Sequence, residues 1–183
     1  VRILNRNAIR WDDDAKVAAF MSVNEETVAR FATHVTTLVD DRPTQAFTRN
    51  LLTAMRVYEG IRQADVRYVV DPTSAYEELS QSSLAVDHVR FPAETLSYGA
   101  GDCDDLSVLF NTVLESVGVP TAFITTPGHI FVAFDLGLAP EQARRLYSTP
   151  EDLIFRDGRA WVPVETTLLT EGFLDAWRTG ARQ

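Results

Sequence analysis

Residues 98–118, "YGAGDCDDLSVLFNTVLESVG", decide how this chain folds. Leu106, Leu109, Phe110, Val113, Leu114 and Val117 recur at the 3.6-residue period, which predicts a buried helix. Asp102 stands where an N-cap belongs and Gly118 where the helix should stop. Asp105, three residues after the cap, suits an Asp-x-x-Asp version of the capping box. Cys103, the only cysteine in 183 residues, then falls in the first turn. Unpaired backbone N–H groups and the positive end of the helix dipole favour a thiolate there. Asp102, Asp104 and Asp105 oppose it, because nearby carboxylates disfavour a further negative charge. A reactive sulfur at this place needs a cationic partner from elsewhere in the chain. "GAG" at 99–101 lacks the Lys-Ser/Thr of a phosphate loop and reads as a tight turn before the cysteine.

Downstream, "VPTAFIT" and "HIFVAFDL" are strand-like runs broken by "TPG". "APEQARRLY" suggests a helical insertion, "DLIFRDGRAWVPVE" a hairpin turning at Asp157-Gly158, and "FLDAW" a short closing helix. Upstream, "VDHVRFPAETLSYGAG" reads as loop, "TSAYEELS" as a helical turn or two, and "VRYVVDP" as a short strand stopped by proline. Two amphipathic helices are expected before that. One starts at an Asn24 N-cap with Val28, Phe31, Val35 and Leu38 on one face. The other opens at Thr44 with Phe47, Leu51, Leu52, Met55 and Tyr58. "VRILNRNAI" is a strand or an extended arm. Helices first and strands later predict an α+β fold, with a helical N-terminal region (1–65) packed on a core (66–183).

A net charge of −9 argues against a nucleic-acid partner, whose phosphates need a Lys/Arg surface. Lys16 is the only lysine, a compositional habit rather than a function. No run approaches the ~18 apolar residues of a membrane span, and residues 1–14 lack the signal-peptide pattern. A single cysteine forms no internal disulfide and excludes multi-thiolate zinc sites. Cys103 is therefore either a small buried apolar residue, the commoner fate of a free cysteine, or a reactive thiol.

A nucleophilic cysteine needs a base, and the base needs a group to orient it. His34 lies within the first helix and reads as a helix-face residue; His88, in "AVDHVRF", is a second candidate. His129 opens a strand just after a glycine, where a well-aimed imidazole can sit. Glu165 ends "WVPVE" on the hairpin's second arm and is the candidate carboxylate. Asp135 lies six residues beyond His129 on the same strand, roughly 20 Å away at ~3.3 Å per residue, and is excluded. Cys103, His129 and an acid would also make a three-ligand zinc site, but no CxxC or HxxxH pair nucleates one, so no metal is expected.

Taken in order, "GDCDDLSVLFNTVLESVGVPTAFI", "GHIFVAF" and "WVPVETT" resemble the core of the transglutaminase-like superfamily of papain-type cysteine enzymes, bacterial members in particular. The resemblance spans about residues 86–168. It implies a papain-like core with the nucleophile at a helix N-terminus packed on an antiparallel sheet. It also implies Cys103 as nucleophile, His129 as general base and acid, and Glu165 as the residue orienting the histidine. The family usually has Asp-Pro where this chain has Glu165-Thr166. The implied activity is thiol-dependent acyl transfer on an amide bond, without cofactor: hydrolysis if water resolves the thioester, cross-linking if an amine does. The Cys103 backbone N–H would form part of the oxyanion hole, and Tyr98 is a candidate second donor. Implied substrates are a peptide, a protein or a peptidoglycan-type cross-link, with the bacterial envelope favoured over the cytoplasm. The competing expectation is a catalytically inactive member that binds peptide or protein.

Overall fold

The computed structural model describes residues 5–37, 42–70 and 86–183. An extended arm with β1 (Ala8–Ile9) leads into a 3-10 helix at Asp14–Phe20, capped by Asp13, whose side chain accepts from the Ala15 N–H. Two helices follow, α1 (Glu26–Thr37) and α2 (Arg49–Gln63). The cap of α2 is Thr48 rather than Thr44: its Oγ1 accepts from the Leu51 N–H at 3.1 Å and donates to the Leu136 carbonyl at 2.6 Å. Phe47 consequently lies outside the helix and is exposed. The chain then forms β2 (Arg67–Tyr68). Leu38 and the "TSAYEELS" helix expected at 73–80 fall outside the described residues.

The stretch expected to be loop before the cysteine instead holds β3 (Asp87–His88), α3 (Pro92–Tyr98) and β4 (Ala100–Gly101). Pro92 opens α3 where its missing N–H costs nothing. The Glu94 carboxylate accepts from the Phe91 N–H at 3.1 Å, and Gly99, at φ +65°, ends the helix in the left-handed region. β3 pairs antiparallel with β1, and β4 pairs parallel with β2.

The central helix is α4 (Cys103–Ser116). The Asp102 side chain accepts from the Asp105 N–H at 3.5 Å, but the return half of the expected capping box is absent. The Asp105 carboxylate turns instead to Arg90, accepting from its backbone N–H at 2.7 Å and pairing with its guanidinium. After α4 come β5 (Thr121–Thr126), β6 (His129–Asp135), α5 (Pro140–Leu146), β7 (Ile154–Arg156), β8 (Arg159–Val164) and α6 (Phe173–Gly180). The sheet is antiparallel in the order β5-β6-β8-β7. Asp157 and Gly158 both take positive φ, as a type I′ hairpin requires.

Leu106, Leu109, Phe110, Val113 and Leu114 of α4 pack between α1 and α2 on one side and Val132, Phe134, Val162 and Val164 of the sheet on the other. One core therefore joins the N-terminal helices to the sheet in an α+β fold. A second, smaller cluster holds Ile9, Trp11, Val17 and Phe20 of the N-terminal arm against Val89, Cys103, Val108 and Ile130.

Candidate active site

Three segments meet where α4 begins. The Pro127-Gly128 turn, with Gly128 at φ +76°, starts β6 at His129. Val164 pairs with Val132, so the end of β8 carries Glu165 alongside the start of β6. His129 Nε2 and Glu165 Oε2 are 2.6 Å apart. The His129 ring stacks on Phe131, with centroids 6.0 Å apart and planes at 15°. Because a carboxylate only accepts, Nε2 carries the proton toward Glu165 and Nδ1 is the nitrogen left as a base.

Glu165 is buried and fully engaged. Its Oε1 accepts from the Thr167 N–H at 3.0 Å and from the Thr167 hydroxyl at 2.7 Å; its Oε2 also accepts from the Gln183 amide. Burial pushes the Glu165 carboxyl up, but the hydrogen bonds from His129 and Thr167 outweigh it and hold the group below its ordinary value. Glu165 is thus an anion at neutral pH despite its burial.

Cys103 is 5% exposed and sits in the smaller cluster beneath Ile9, Trp11 and Phe20. Its thiol is pushed up to about 12, first by burial and then by the charge of Asp102. Backbone N–H groups of Ile130, Asp104 and Cys103 itself act in the opposite direction without prevailing. The sulfur therefore faces the backbone of the residue next to His129, yet it forms no hydrogen bond with the His129 ring. Of the two contacts expected from the sequence, imidazole to carboxylate is made and sulfur to imidazole is not. The arm at 5–20 brings Ile9, Trp11, Val17 and Phe20 into the buried cluster that holds Cys103, and that burial was not legible in the sequence.

The arm is clamped by named bonds. Trp11 Nε1 donates to Asp87 Oδ2 at 2.7 Å. Asn7 Nδ2 donates to the Val89 carbonyl at 3.0 Å and to Glu94 at 2.7 Å. His34 and His88 are exposed, on α1 and β3. Tyr98 is 74% exposed, with the Arg90 guanidinium 5.8 Å from its ring centre. Asp135 is engaged elsewhere, accepting from the Gly137 N–H and from Arg159.

One feature escaped the sequence reading. Asp102, Asp104 and Asp105 are all buried, and one oxygen from each lies within 4.8 Å of the other two. Both Asp104 oxygens are sealed from solvent and receive no hydrogen bond. Burial, followed by Asp102, Asp105 and Asp87, raises the Asp104 carboxyl well above its ordinary value, so it is held protonated and can donate to Asp102. Asp105 is raised to about 6 by burial and Asp102, with Arg90 opposing. Three such oxygens are also close enough to share one hard cation, which would displace the proton that burial keeps on Asp104. The run of acids was visible; that the fold buries all three was not.

Comparison of the chain with protein-family models, with curated proteins and with solved structures returned no match.

Proposed function

We propose that this chain is a thiol-dependent acyl-transfer enzyme of the transglutaminase-like type, here in a covered resting form. The observation that carries the reading is the His129–Glu165 pair, 2.6 Å apart and locked by Thr167, one residue from the Ile130 N–H that the Cys103 sulfur faces. A histidine oriented by a buried carboxylate beside a helix-start cysteine is the arrangement nucleophilic catalysis requires. Catalytic contacts are commonly long before substrate binds, so the missing sulfur–imidazole bond is compatible with the reading.

In the proposed reaction the arm moves aside and the sulfur reaches Nδ1 of His129. Nδ1 takes the thiol proton, and the imidazolium formed is held between the thiolate and Glu165. The sulfur bonds to an amide carbonyl carbon, and the oxyanion is met by the Cys103 N–H at the start of α4. His129 returns the proton to the leaving nitrogen as the C–N bond breaks, giving a thioester and a free amine. Water, deprotonated by Nδ1, then attacks the thioester, releasing the acid and regenerating the thiol. Hydrolysis of a peptide or isopeptide bond is the activity proposed, within a papain-like core.

A second reading, a catalytically silent module that binds peptide or protein, is favoured by one observation: the thiol is buried and pushed up to about 12. The two separate on incubation with a peptide library followed by mass spectrometry of the protein. The enzyme reading expects an acyl adduct on Cys103 and none on Cys103→Ala. Turnover by Cys103→Ala equal to the parent's sinks it. Peptide binding without adduct or cleavage leaves the silent module.

A further inference from the structure

The N-terminal arm has an outer face as well as the inner one that covers the sulfur. Between it and the start of α3 lies a cleft of about 510 Å³. Arg6, Arg10 and Lys16 line it against a single carboxylate, Asp12, in a chain whose net charge is −9. Two of the three cations are already matched: Arg6 pairs with Glu94 and Lys16 with Asp12. Arg10 is not. Among the described residues it forms no ion pair, and its Nε is shut off from solvent with no acceptor. Arg10 lines the cleft without an ion pair, and the partner its guanidinium suits is by chemistry an anionic oxygen.

The remaining walls say what carries that oxygen. Phe20 and Phe91 face the cleft as a tilted pair, ring centres 5.3 Å apart, with the Arg6 guanidinium 5.0 Å from the Phe91 ring centre. Aromatic walls beside a few convergent charged groups are the make-up of a small-ligand site. Arg10 is felt electrostatically by Asp12 but makes no direct ion pair, and its planar guanidinium fork matches a carboxylate. We propose that this cleft binds a carboxylate attached to an apolar body: a peptide's C-terminal residue or a free aryl or alkyl acid. The site uses no thiol chemistry, so it stands or falls apart from the acyl-transfer reading.

The test is calorimetric titration of the full chain with N-acetylphenylalanine, 3-phenylpropionate, N-acetylphenylalaninamide and inorganic phosphate. Both carboxylates should bind, and the neutral amide at least about tenfold more weakly, since a hydrogen bond to a charged group is worth that much. Tighter binding of N-acetylphenylalanine identifies a peptide terminus as the source, and tighter binding of 3-phenylpropionate a free acid. Arg10→Gln should weaken the carboxylates about tenfold or more and leave the amide unchanged. Arg10→Lys keeps the charge without the fork, so it should fall between parent and Arg10→Gln. Melting curves show whether each variant is folded. If Arg10→Gln is not, the Arg10→Lys loss and weakening by salt in the parent decide. Equal binding of acid and amide, phosphate tighter than either carboxylate, or parent-like affinity in the Arg10 variants overturns the proposal.

Discussion

His129 and Glu165 are 36 residues apart in the chain and 2.6 Å apart in the fold, joined because β6 and β8 are neighbours in the sheet. Glu165→Gln removes the charge that His129 and Thr167 hold below its ordinary value of 4.5. Loss of hydrogen bonds to a buried anion should cost about 1.5–3 kcal/mol at pH 7. A depressed carboxyl stabilises the fold above its unfolded pKa and ceases to as pH falls through the folded one. The gap between parent and variant in urea unfolding should therefore be full at pH 6–8 and close at lower pH. A pH-independent gap argues against the pair.

Thr167 gives Glu165 two hydrogen bonds, one from its backbone and one from its hydroxyl. Thr167→Ala should cost about 1 kcal/mol and lower the rate of any acyl transfer by loosening the carboxylate. Thr167→Ser keeps the hydroxyl and should restore most of both. Failure of serine to rescue would assign Thr167 a packing role only.

Asp104 behaves in the opposite sense from Glu165. Its folded pKa lies well above the ordinary 3.8, so the unfolded chain releases that proton first as pH rises. The parent should lose stability relative to Asp104→Asn as pH climbs from about 4 through Asp104's folded value. Asparagine supplies a donor to Asp102 without titrating, so that slope should vanish in the variant, measured in chelator by urea unfolding at pH 5, 7 and 9. Parallel curves would show that Asp104 is not the protonated member of the cluster.

Gly101 allows β4 to pass close under α4: a Cβ there would lie 2.6 Å from Asp105 Cβ and 3.2 Å from Thr95 Cγ2. Gly101→Ala should displace the first turn of α4 and cost about 1–3 kcal/mol by overpacking. Thermal melting measures it, and an unchanged midpoint would mean the turn yields freely.

Trp11 fastens the arm through its bond to Asp87. Trp11→Phe keeps an aromatic ring, though a smaller one, and loses the donor, so Cys103 should react faster with iodoacetamide at pH 8 than in the parent. The parent itself should react slowly, tenfold faster for each pH unit, since the thiol is pushed up to about 12. A Trp11→Phe rate equal to the parent's would show that the arm is not what limits access.

The parts legible in the sequence were those whose signals are local. α4 announces itself by five buried apolar residues at helical spacing, and the β7–β8 hairpin by Asp157-Gly158. α3 was missed although Pro92, Glu94 and Gly99 are start and stop signals, because seven residues are too few to show a period. Thr44 and Thr48 look alike as caps; the choice falls to Thr48 because its hydroxyl also reaches Leu136, 88 residues away. His129 and Glu165 could be singled out because each stands at a strand end. The cover over Cys103 could not, since it depends on Ile9, Trp11 and Phe20 arriving from a distant segment with no periodicity of its own.

The closed arm has a chemical consequence beyond gating. Conversion of a thiol to its sulfenic acid proceeds through the thiolate and requires an open approach for peroxide. A protonated sulfur behind Ile9, Trp11 and Phe20 offers neither. The chain's one thiol should therefore outlast oxidants that would spoil an exposed nucleophile, remaining reduced until the arm is lifted.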